Sequence, residues 1–338
     1  MKPVKVASVG LGWWGGELAE AAARSGVVEV ERCFARSPES RKEFADRFGC
    51  HEASSIDEIL EDPAIDGLLV ATPHTHHREL IEAAAEAGKH TFVEKPLTLT
   101  VADGEACVEA TRRAGTVLQV GHNRRRQAAN RRLRALVDAG EFGVVHQIDT
   151  TIHVSKYQNP PTSWRADPVE SPAGGMTALG VHMLDTMQYL LGPITKVSAF
   201  SKRVLGRWDI DDITTAIFEF ASGPLGTLGT SLVVPRRCDV TMYGTDLAAW
   251  SEEEGSKLYT QRKDVTSRTP QTLDTADPLA EQLREFAACV GTGTAPETGG
   301  PEALRVVATL EALIESIRTG RAVEVSHTES GARHTPSG

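Results

Sequence analysis

The sequence predicts an α/β domain followed by an α+β domain that carries one large, open, mostly antiparallel sheet. In the first third of the chain, short apolar runs alternate with helical segments of roughly 10 to 15 residues, which is typical of βαβ units and a parallel sheet. After about residue 122 the strand-like runs lie closer together. With 338 residues, the chain has the length of about two domains.

Residues 1–122 carry the βαβ pattern. The opening run 4–9 is β-branched and apolar and ends at Gly10, and helix formers fill residues 12–24. Ser55 and Glu58 match a capping box, while Thr100 and Gly115 delimit a later helix. Further strands are predicted at 27–34, 65–71, 91–93 and 117–120, and further helices at 77–87 and 101–114.

Residues 123–327 form the predicted second domain. A basic helix is expected at 127–139, and a helix at 181–191 is stopped by Gly192 and Pro193. Strands are expected at 144–154, 196–204, 213–220, 225–234 and 239–243, and late helices at 278–290 and 301–318. Residues 328–338 are polar and are predicted to be a flexible tail.

Composition excludes several classes of function. There are 36 Lys and Arg against 46 Asp and Glu, so a net charge of −10 gives no global basic surface for nucleic acid or anionic membranes. No apolar run approaches the roughly 18 residues of a membrane helix, and the first residues lack a signal-peptide pattern. Five scattered cysteines without CxxC spacing indicate reduced thiols. We therefore expect a cytoplasmic protein.

The segment 10–15 reads GLGWWG, a GxGxxG motif between a predicted strand and a predicted helix. Gly10 permits a tight turn, Gly12 lets a pyrophosphate approach the backbone, and Gly15 permits close helix–strand packing. The helix N-terminus then supplies N–H groups to the phosphates. This predicts a dinucleotide-binding Rossmann domain, with Trp13 and Trp14 as further candidate contacts.

The residues that follow the second predicted strand favour NADP over NAD. NAD sites usually carry an acidic residue there that binds the ribose 2′-hydroxyl. Arg36 and Ser37 stand at this point instead, and they could bind a 2′-phosphate. The alternative is that Arg36 is solvated or stacks on adenine, which leaves the preference open.

Glu94, Lys95 and Pro96 follow the strand predicted at 91–93. A lysine at the carboxyl end of a parallel strand points toward the ligand crevice of the sheet. Its ammonium can stabilise negative charge that develops on a substrate oxygen.

An ordered set of motifs resembles the glucose-fructose oxidoreductase/inositol dehydrogenase (Gfo/Idh/MocA) family over nearly the whole chain. The set comprises Gly10–Gly15, Ala71-Thr72-Pro73 with His77, Glu94-Lys95-Pro96, Gly121-His122-Asn123-Arg124, Trp164-Arg165, and Gly174-Gly175 with Gly180-Val181-His182. The resemblance implies NAD(P)-dependent oxidation or reduction at a sugar or cyclitol carbon. It also implies dimers or tetramers that pack through the open sheet.

The resemblance assigns catalytic roles to Lys95, beside the nicotinamide, and to His182, which can accept a hydroxyl proton. The family motif around this histidine is usually Asp-x-x-x-His, but Ala178 stands at the Asp position here. Asp185, on the same helical face, is predicted to orient the imidazole instead. Thr177 is a weaker substitute.

Other candidates complete the predicted site. The expected coenzyme contacts are Thr72, Pro73, His77, Glu94, Lys95 and Asn123, and the expected substrate contacts are Lys95, Arg124, Lys156, Tyr157, Trp164, Arg165 and His182. The histidines at 74, 76 and 77 lie too close together to converge on one metal ion, so no metal is expected.

The predicted function is hydride transfer between nicotinamide and a secondary alcohol or ketone of a sugar, sugar derivative or cyclitol. Because Ala178 removes a family catalytic residue, a coenzyme-retaining lyase or hydrolase, or a coenzyme-binding module, is the alternative. RNA binding through the arginines at 124–134 is a distant third possibility, and steep salt dependence would identify it.

Overall fold

The computed structural model describes residues 2–155, 163–275 and 277–326, in two compact units. The first unit is Met1–Asn123 with Asp277–Leu304, and the second is Arg124–Ala276 with Arg305–Gly338. The first division of the chain falls between Asn123 and Arg124. However, residues 277–304 belong to the first unit, which corrects their predicted place in the second domain.

The first unit is built on a six-stranded parallel sheet in the order β3-β2-β1-β4-β5-β6. The strands are β1 (Val4–Val9), β2 (Val28–Phe34), β3 (His51–Glu52), β4 (Gly67–Val70), β5 (His90–Val93) and β6 (Leu118–Val120). The helices between them are α1 (Trp13–Ser25), α2 (Pro38–Phe48), α3 (Ile56–Glu61), α4 (His77–Glu86) and α5 (Val101–Ala114). This strand order confirms the predicted Rossmann fold.

The order of this sheet reverses at β1. Val6 of β1 pairs with Val30 of β2 on one side and with Gly67 of β4 on the other. The crevice beyond the carboxyl ends of β1 and β4 is therefore the topological switch point, where open α/β sheets bind ligands.

Helix α8 (Pro278–Thr292) explains why the chain returns to the first unit. Leu283 and Phe286 are fully buried in one apolar cluster with Val4, Leu18 and Phe92. The rings of Phe92 and Phe286 meet edge to face, with centroids 6.1 Å apart. Burial of these large side chains stabilises the placement of α8 against α1 and the sheet.

The second unit contains a nine-stranded sheet in the order β14-β13-β12-β11-β7-β10-β9-β8-β15. The strands are β7 (Val145–Ser155), β8 (Ile194–Lys202), β9 (Ile213–Phe220), β10 (Leu225–Ser231), β11 (Val233–Gly244), β12 (Leu247–Glu252), β13 (Lys257–Arg262), β14 (Thr269–Pro270) and β15 (Val323–Glu324). Its helices are α6 (Ala128–Asp138), α7 (Val181–Leu191) and most of α9 (Gly300–Thr319). The pair β7–β10 is parallel and the other pairs are antiparallel, as predicted.

One face of this sheet is covered and the other is exposed. Along β9, Ala216 and Phe218 are buried, whereas Ile217 between them is 54% exposed. This alternation is typical of an antiparallel strand with one buried face. On the exposed face, Phe200 of β8 and Leu225 of β10 are 72% and 51% exposed.

Several predicted elements differ from the structure. The run 225–234 divides at Leu232 into the end of β10 and the start of β11. Helix α2 was not predicted from the sequence. Its residues are mostly polar and Phe44 is the buried side chain, so the segment gives a weak amphipathic signal. The capping box also differs, since Ser55 accepts the Glu58 amide but Glu58 accepts the amide of Ser54. Within the described ranges, every helix is too short or too polar to cross a membrane.

Candidate functional site

The turn after β1 has the geometry of a phosphate-binding turn. Gly10 has φ +91°, and a Cβ there would lie 2.6 Å from the carbonyl carbon of Ala71, so the turns after β1 and β4 touch. A Cβ on Gly15 would overlap the Gly10 carbonyl oxygen, while one on Gly12 would meet open space. Gly12 caps α1 without a side-chain hydrogen bond. The helix N-terminus therefore faces an open volume that can accept an anion.

Three predicted coenzyme contacts carry enclosed polar atoms. The indole Nε1 of Trp14, the Oγ1 of Thr72 and the Oδ1 of Asn123 are buried, and no described residue gives them a hydrogen bond. Buried polar atoms without partners are uncommon in native structures, and a ligand is one explanation. Trp13 stacks at a tilt on Trp14, with centroids 5.1 Å apart, and is 75% exposed. These residues fit a bound dinucleotide.

The residues after β2 are arranged differently from the prediction. Arg36 is exposed, as a phosphate ligand would be. The Ser37 hydroxyl, however, caps α2 by accepting the Ser40 amide (3.2 Å) and donates to the Glu39 carboxylate (2.7 Å). This hydrogen bond lowers the pKa of Glu39. An acidic group near the predicted 2′-phosphate site was missed by the sequence analysis, although its spacing from Ser37 could have revealed it.

Lys95 lies two residues after the end of β5 and is half-buried. The preceding Glu94 is 5% exposed and packs under Gly121, where a Cβ would lie 2.6 Å from the Glu94 Oε1. Because β5 lies between β4 and β6, the lysine stands at the carboxyl edge of the sheet. This placement fits a group that contacts a ligand in the crevice.

His77, a predicted coenzyme contact, is fully buried among backbone carbonyls. Its Nδ1 lies 3.0 and 3.1 Å from the carbonyl oxygens of Pro96 and Leu97, and its Nε2 lies 3.3 Å from that of Thr72. The imidazole therefore links the loop after β4 to the loop that carries Lys95. It is a positioning residue.

The neighbouring histidines also have local partners. The Nδ1 of His76 lies 2.8 Å from the Glu79 carboxylate, and the rings of His74 and His77 meet edge to face at 5.7 Å. No group of three or more His, Cys, Asp or Glu side chains in the described part of the chain could hold a metal ion.

In the second unit, His182 lies in the first turn of α7 and is 8% exposed. A π-helical segment, Met176–Gly180, precedes it, and such segments often occur at functional sites. Ala178 lies in this segment. Thr177 is fully buried and accepts the Ala173 amide (3.1 Å), so its oxygen is part of the turn. This internal role argues against Thr177 as a substitute for the missing Asp.

Asp185 makes a buried ion pair with Arg125, and its role in orienting His182 stays a prediction. Both carboxylate oxygens accept from Arg125, with distances of 3.0 and 2.9 Å to Nε and 2.6 Å from Oδ1 to Nη2. The two side chains are 8% and 1% exposed. Arg125 also lies over the ring of Tyr189, 5.3 Å from its centroid. The pair anchors α7 and so positions the helix that carries His182.

The glycines before His182 allow close packing. A Cβ on Gly174 would overlap the Asp211 carbonyl oxygen, and one on Gly180 would overlap the Met176 sulfur. A Cβ on Gly175 would lie 3.2 Å from Leu232. Gly174 and Gly180 therefore permit close contacts that a larger side chain would prevent.

Two of the predicted substrate contacts in the second unit, Arg124 and Arg165, contact neighbouring side chains. Arg124 Nη1 lies 3.0 Å from the sulfur of Cys238, and burial raises the pKa of that thiol. The Arg165 guanidinium stacks on Trp164, 4.0 Å from the ring centroid. Lys156 and Tyr157 lie outside the described residues.

Much of the arginine cluster at 124–134 has internal partners. Arg131 donates to the Tyr189 hydroxyl (2.9 Å), and Arg134 donates to the carbonyls of Tyr189 and Leu190 (3.0 and 2.9 Å). These contacts favour a structural role for this part of the cluster over RNA binding.

Comparison with known proteins connects both units to one family. Residues 4–122 match a family described as an oxidoreductase family with an NAD-binding Rossmann fold, and residues 130–249 match the GFO/IDH/MocA C-terminal domain. The chain is 32% identical to scyllo-inositol 2-dehydrogenase (NAD(+)) of Bacillus subtilis (strain 168), over 71% of each chain.

Two further likenesses extend the comparison. The chain is 29% identical to 2,7-anhydro-N-acetylneuraminate hydratase of Escherichia coli (strain K12), over 65% of this chain and 59% of that protein. A solved levoglucosan dehydrogenase in complex with NADH matches 97% of this chain and 100% of its own, with a TM-score of 0.90. At 22% identity, the last likeness concerns the fold alone.

Proposed function

Since this chain belongs to the Gfo/Idh/MocA family of NAD(P)-dependent oxidoreductases, we propose that it interconverts a secondary alcohol and a ketone on a sugar, sugar derivative or cyclitol. The coenzyme, when bound, supplies or accepts the hydride. The observation that carries the proposal is the open N-terminus of α1 at Gly12, and the enclosed polar atoms of Trp14, Thr72 and Asn123 support it.

The proposed chemistry needs two groups with different tasks. Lys95 donates a hydrogen bond to the substrate oxygen and stabilises its negative charge. His182 accepts the hydroxyl proton in oxidation and returns it in reduction. Buried contacts restrict both groups, because His77 links the Lys95 loop to its neighbour and the Arg125–Asp185 pair anchors α7.

The proposed substrate is carbohydrate-like because of the side chains offered by the second unit. The Trp164 ring suits the apolar face of a sugar, while Arg124 and Arg165 suit hydroxyl or acidic groups. Tyr157 is proposed as a further contact on its residue type alone.

We propose NADP as the preferred coenzyme, with NAD as the alternative. Arg36 is exposed and can pair with a 2′-phosphate. We also propose a cytoplasmic location, in keeping with five buried, reduced cysteines.

The function is tested by following absorbance at 340 nm with each coenzyme and a panel of sugars, sugar acids, anhydrosugars and cyclitols. We expect turnover with at least one compound of this class. If calorimetry detects no uptake of NADH or NADPH by folded protein, the proposal is wrong.

A coenzyme-retaining, non-redox enzyme is the second candidate. Ala178 stands where the family motif has an acid, and one similar protein is named a hydratase. This candidate predicts a nucleotide that copurifies and cycles without net consumption. Product formation without any change at 340 nm would favour it over the dehydrogenase.

Alanine at two glycines of the phosphate turn is expected to have different effects. Gly15→Ala places a methyl group on the Gly10 carbonyl and should lower the free energy of unfolding by about 1–3 kcal/mol. Gly12→Ala meets open space and causes no clash, but alanine is a poorer N-cap than glycine, so the free energy of unfolding should fall by about 0.5–1 kcal/mol. Its methyl group should nevertheless weaken coenzyme binding by about tenfold or more, or about 1.4 kcal/mol. Urea denaturation and fluorescence titration measure the two effects, and a Gly12→Ala variant that binds coenzyme normally would contradict the assignment.

We propose a homodimer or homotetramer that packs through the exposed face of the nine-stranded sheet. Phe200, Ile217 and Leu225 lie exposed on neighbouring strands of that face, a pattern common at interfaces. Ile217→Lys should shift the protein to a smaller species in sedimentation analysis. The exposed Val265→Lys, outside the sheet strands, is the control. A monomeric wild-type protein would contradict the proposal.

A further inference from the structure

Two opposite charges follow β2, Arg36 in the loop and Glu39 in the first turn of α2. We propose that Glu39 is a coenzyme-specificity residue, which opposes the 2′-phosphate attracted by Arg36 and thereby moderates the preference for NADP. This inference rests on the proposed function, because it requires that the first unit binds a nicotinamide dinucleotide.

The hydroxyl of Ser37 already has two hydrogen-bond partners. A serine hydroxyl has one hydrogen to donate, and here that hydrogen goes to the Glu39 carboxylate over 2.7 Å. The same oxygen accepts the Ser40 amide at the start of α2. Ser37 therefore cannot donate to a phosphate while Glu39 holds its hydrogen.

The negative charge of Glu39 opposes a phosphate bound by Arg36. Glu39 lies exposed in the first turn of α2, where its ionised form is favoured by the Ser37 hydroxyl and the helix N-terminus. A carboxylate three residues after Arg36, the predicted phosphate ligand, repels a dianionic 2′-phosphate. It can instead accept a hydrogen bond from the 2′-hydroxyl of NADH.

The other cations near Glu39 have partners of their own, so they compensate its charge less than Arg36 does. Arg41 is half-buried, donates from Nη1 to the Ala35 carbonyl (2.8 Å) and lies near the Phe34 ring. Lys42 pairs with Asp46 at 3.0 Å. Arg36 is thus the exposed cation of the loop, and its positive charge is opposed by the negative charge of Glu39 three residues later.

The test measures dissociation constants for NADH and NADPH by fluorescence titration of the whole protein. Glu39→Gln keeps the size of the side chain and its acceptor oxygen but removes the charge. We expect the ratio Kd(NADPH)/Kd(NADH) to fall about tenfold, or about 1.4 kcal/mol. Arg36→Gln should raise the same ratio by a similar factor.

Glu43→Gln is the matched control. Glu43 is exposed and lies on α2, one helical turn after Glu39. Its replacement by glutamine removes the same negative charge at a greater distance from Arg36. Its ratio should stay within about twofold of wild type, since solvent screens charges that are farther apart. Equal ratios for Glu39→Gln and Glu43→Gln, with both coenzymes bound, would overturn the inference and leave the proposed function intact. If the wild-type protein binds neither coenzyme, the proposed function itself fails.

Discussion

Lys95→Ala is expected to lower kcat by about 10²–10³-fold on the best substrate of the panel, as removal of one oxyanion-stabilising donor does in other enzymes. The lysine is half-buried at the carboxyl end of β5, so water is a poor replacement for its ammonium. Coenzyme should still bind, because the phosphate turn at Gly10 and Gly12 is unchanged. Steady-state rates at 340 nm and coenzyme titration of the same preparation separate the two effects.

Two variants serve as controls for this prediction, one at a different lysine and one that replaces Lys95 by arginine. Lys42→Ala removes an exposed lysine that pairs with Asp46 and should leave kcat unchanged. Lys95→Arg retains the positive charge but changes its geometry, so partial activity is expected. If Lys95→Ala turns over substrate at the wild-type rate, Lys95 does not stabilise the reacting oxygen.

Asp185→Asn is expected to lower the free energy of unfolding of the second unit by about 3–5 kcal/mol, because the buried Arg125 guanidinium would lose the negative charge of Asp185. The side chain of Arg125 is 8% exposed and that of Asp185 is 1% exposed, and hydrogen bonds from Nε and Nη2 of Arg125 join them. Urea denaturation with an unchanged m-value measures this loss. Replacement of both partners by Arg125→Met and Asp185→Leu should recover most of it, since a well-packed apolar pair of similar volume avoids the buried charge.

The matched control is an exposed ion pair. Lys42 and Asp46 are 71% and 69% exposed and lie 3.0 Å apart, so Asp46→Asn should cost about 0–1 kcal/mol. If Asp185→Asn costs no more than Asp46→Asn, the buried pair does not anchor α7. A reduced kcat in the folded double variant would indicate in addition that the pair positions His182.

Local patterns were enough to predict the first half of the fold. Strand β1, helix α5 and its cap at Thr100 have the predicted bounds because each signal lies within a few residues. The phosphate turn is equally local, since the glycine spacing sets its shape. The second helix was the exception, because a mostly polar segment with one buried phenylalanine gives little periodic signal.

Roles that depend on distant partners could not be predicted in this way. Helical spacing correctly puts Asp185 one turn after His182, but Arg125, which it binds, lies 60 residues earlier in the chain. His77 similarly contacts the carbonyls of Pro96 and Leu97, 19 and 20 residues away. Sequence spacing constrains which face a side chain occupies and leaves open which other element packs there.

By itself, the sequence determined the two-part architecture, the family motifs and the turn at Gly10–Gly15, because each depends on backbone preferences and periodicity of neighbouring residues. The tertiary structure decided that α8 packs on the first unit, that Asp185 binds Arg125 and that His77 is enclosed. The physical reason is that an apolar helix face or a buried charge can be satisfied by several partners, and only long-range packing selects one of them.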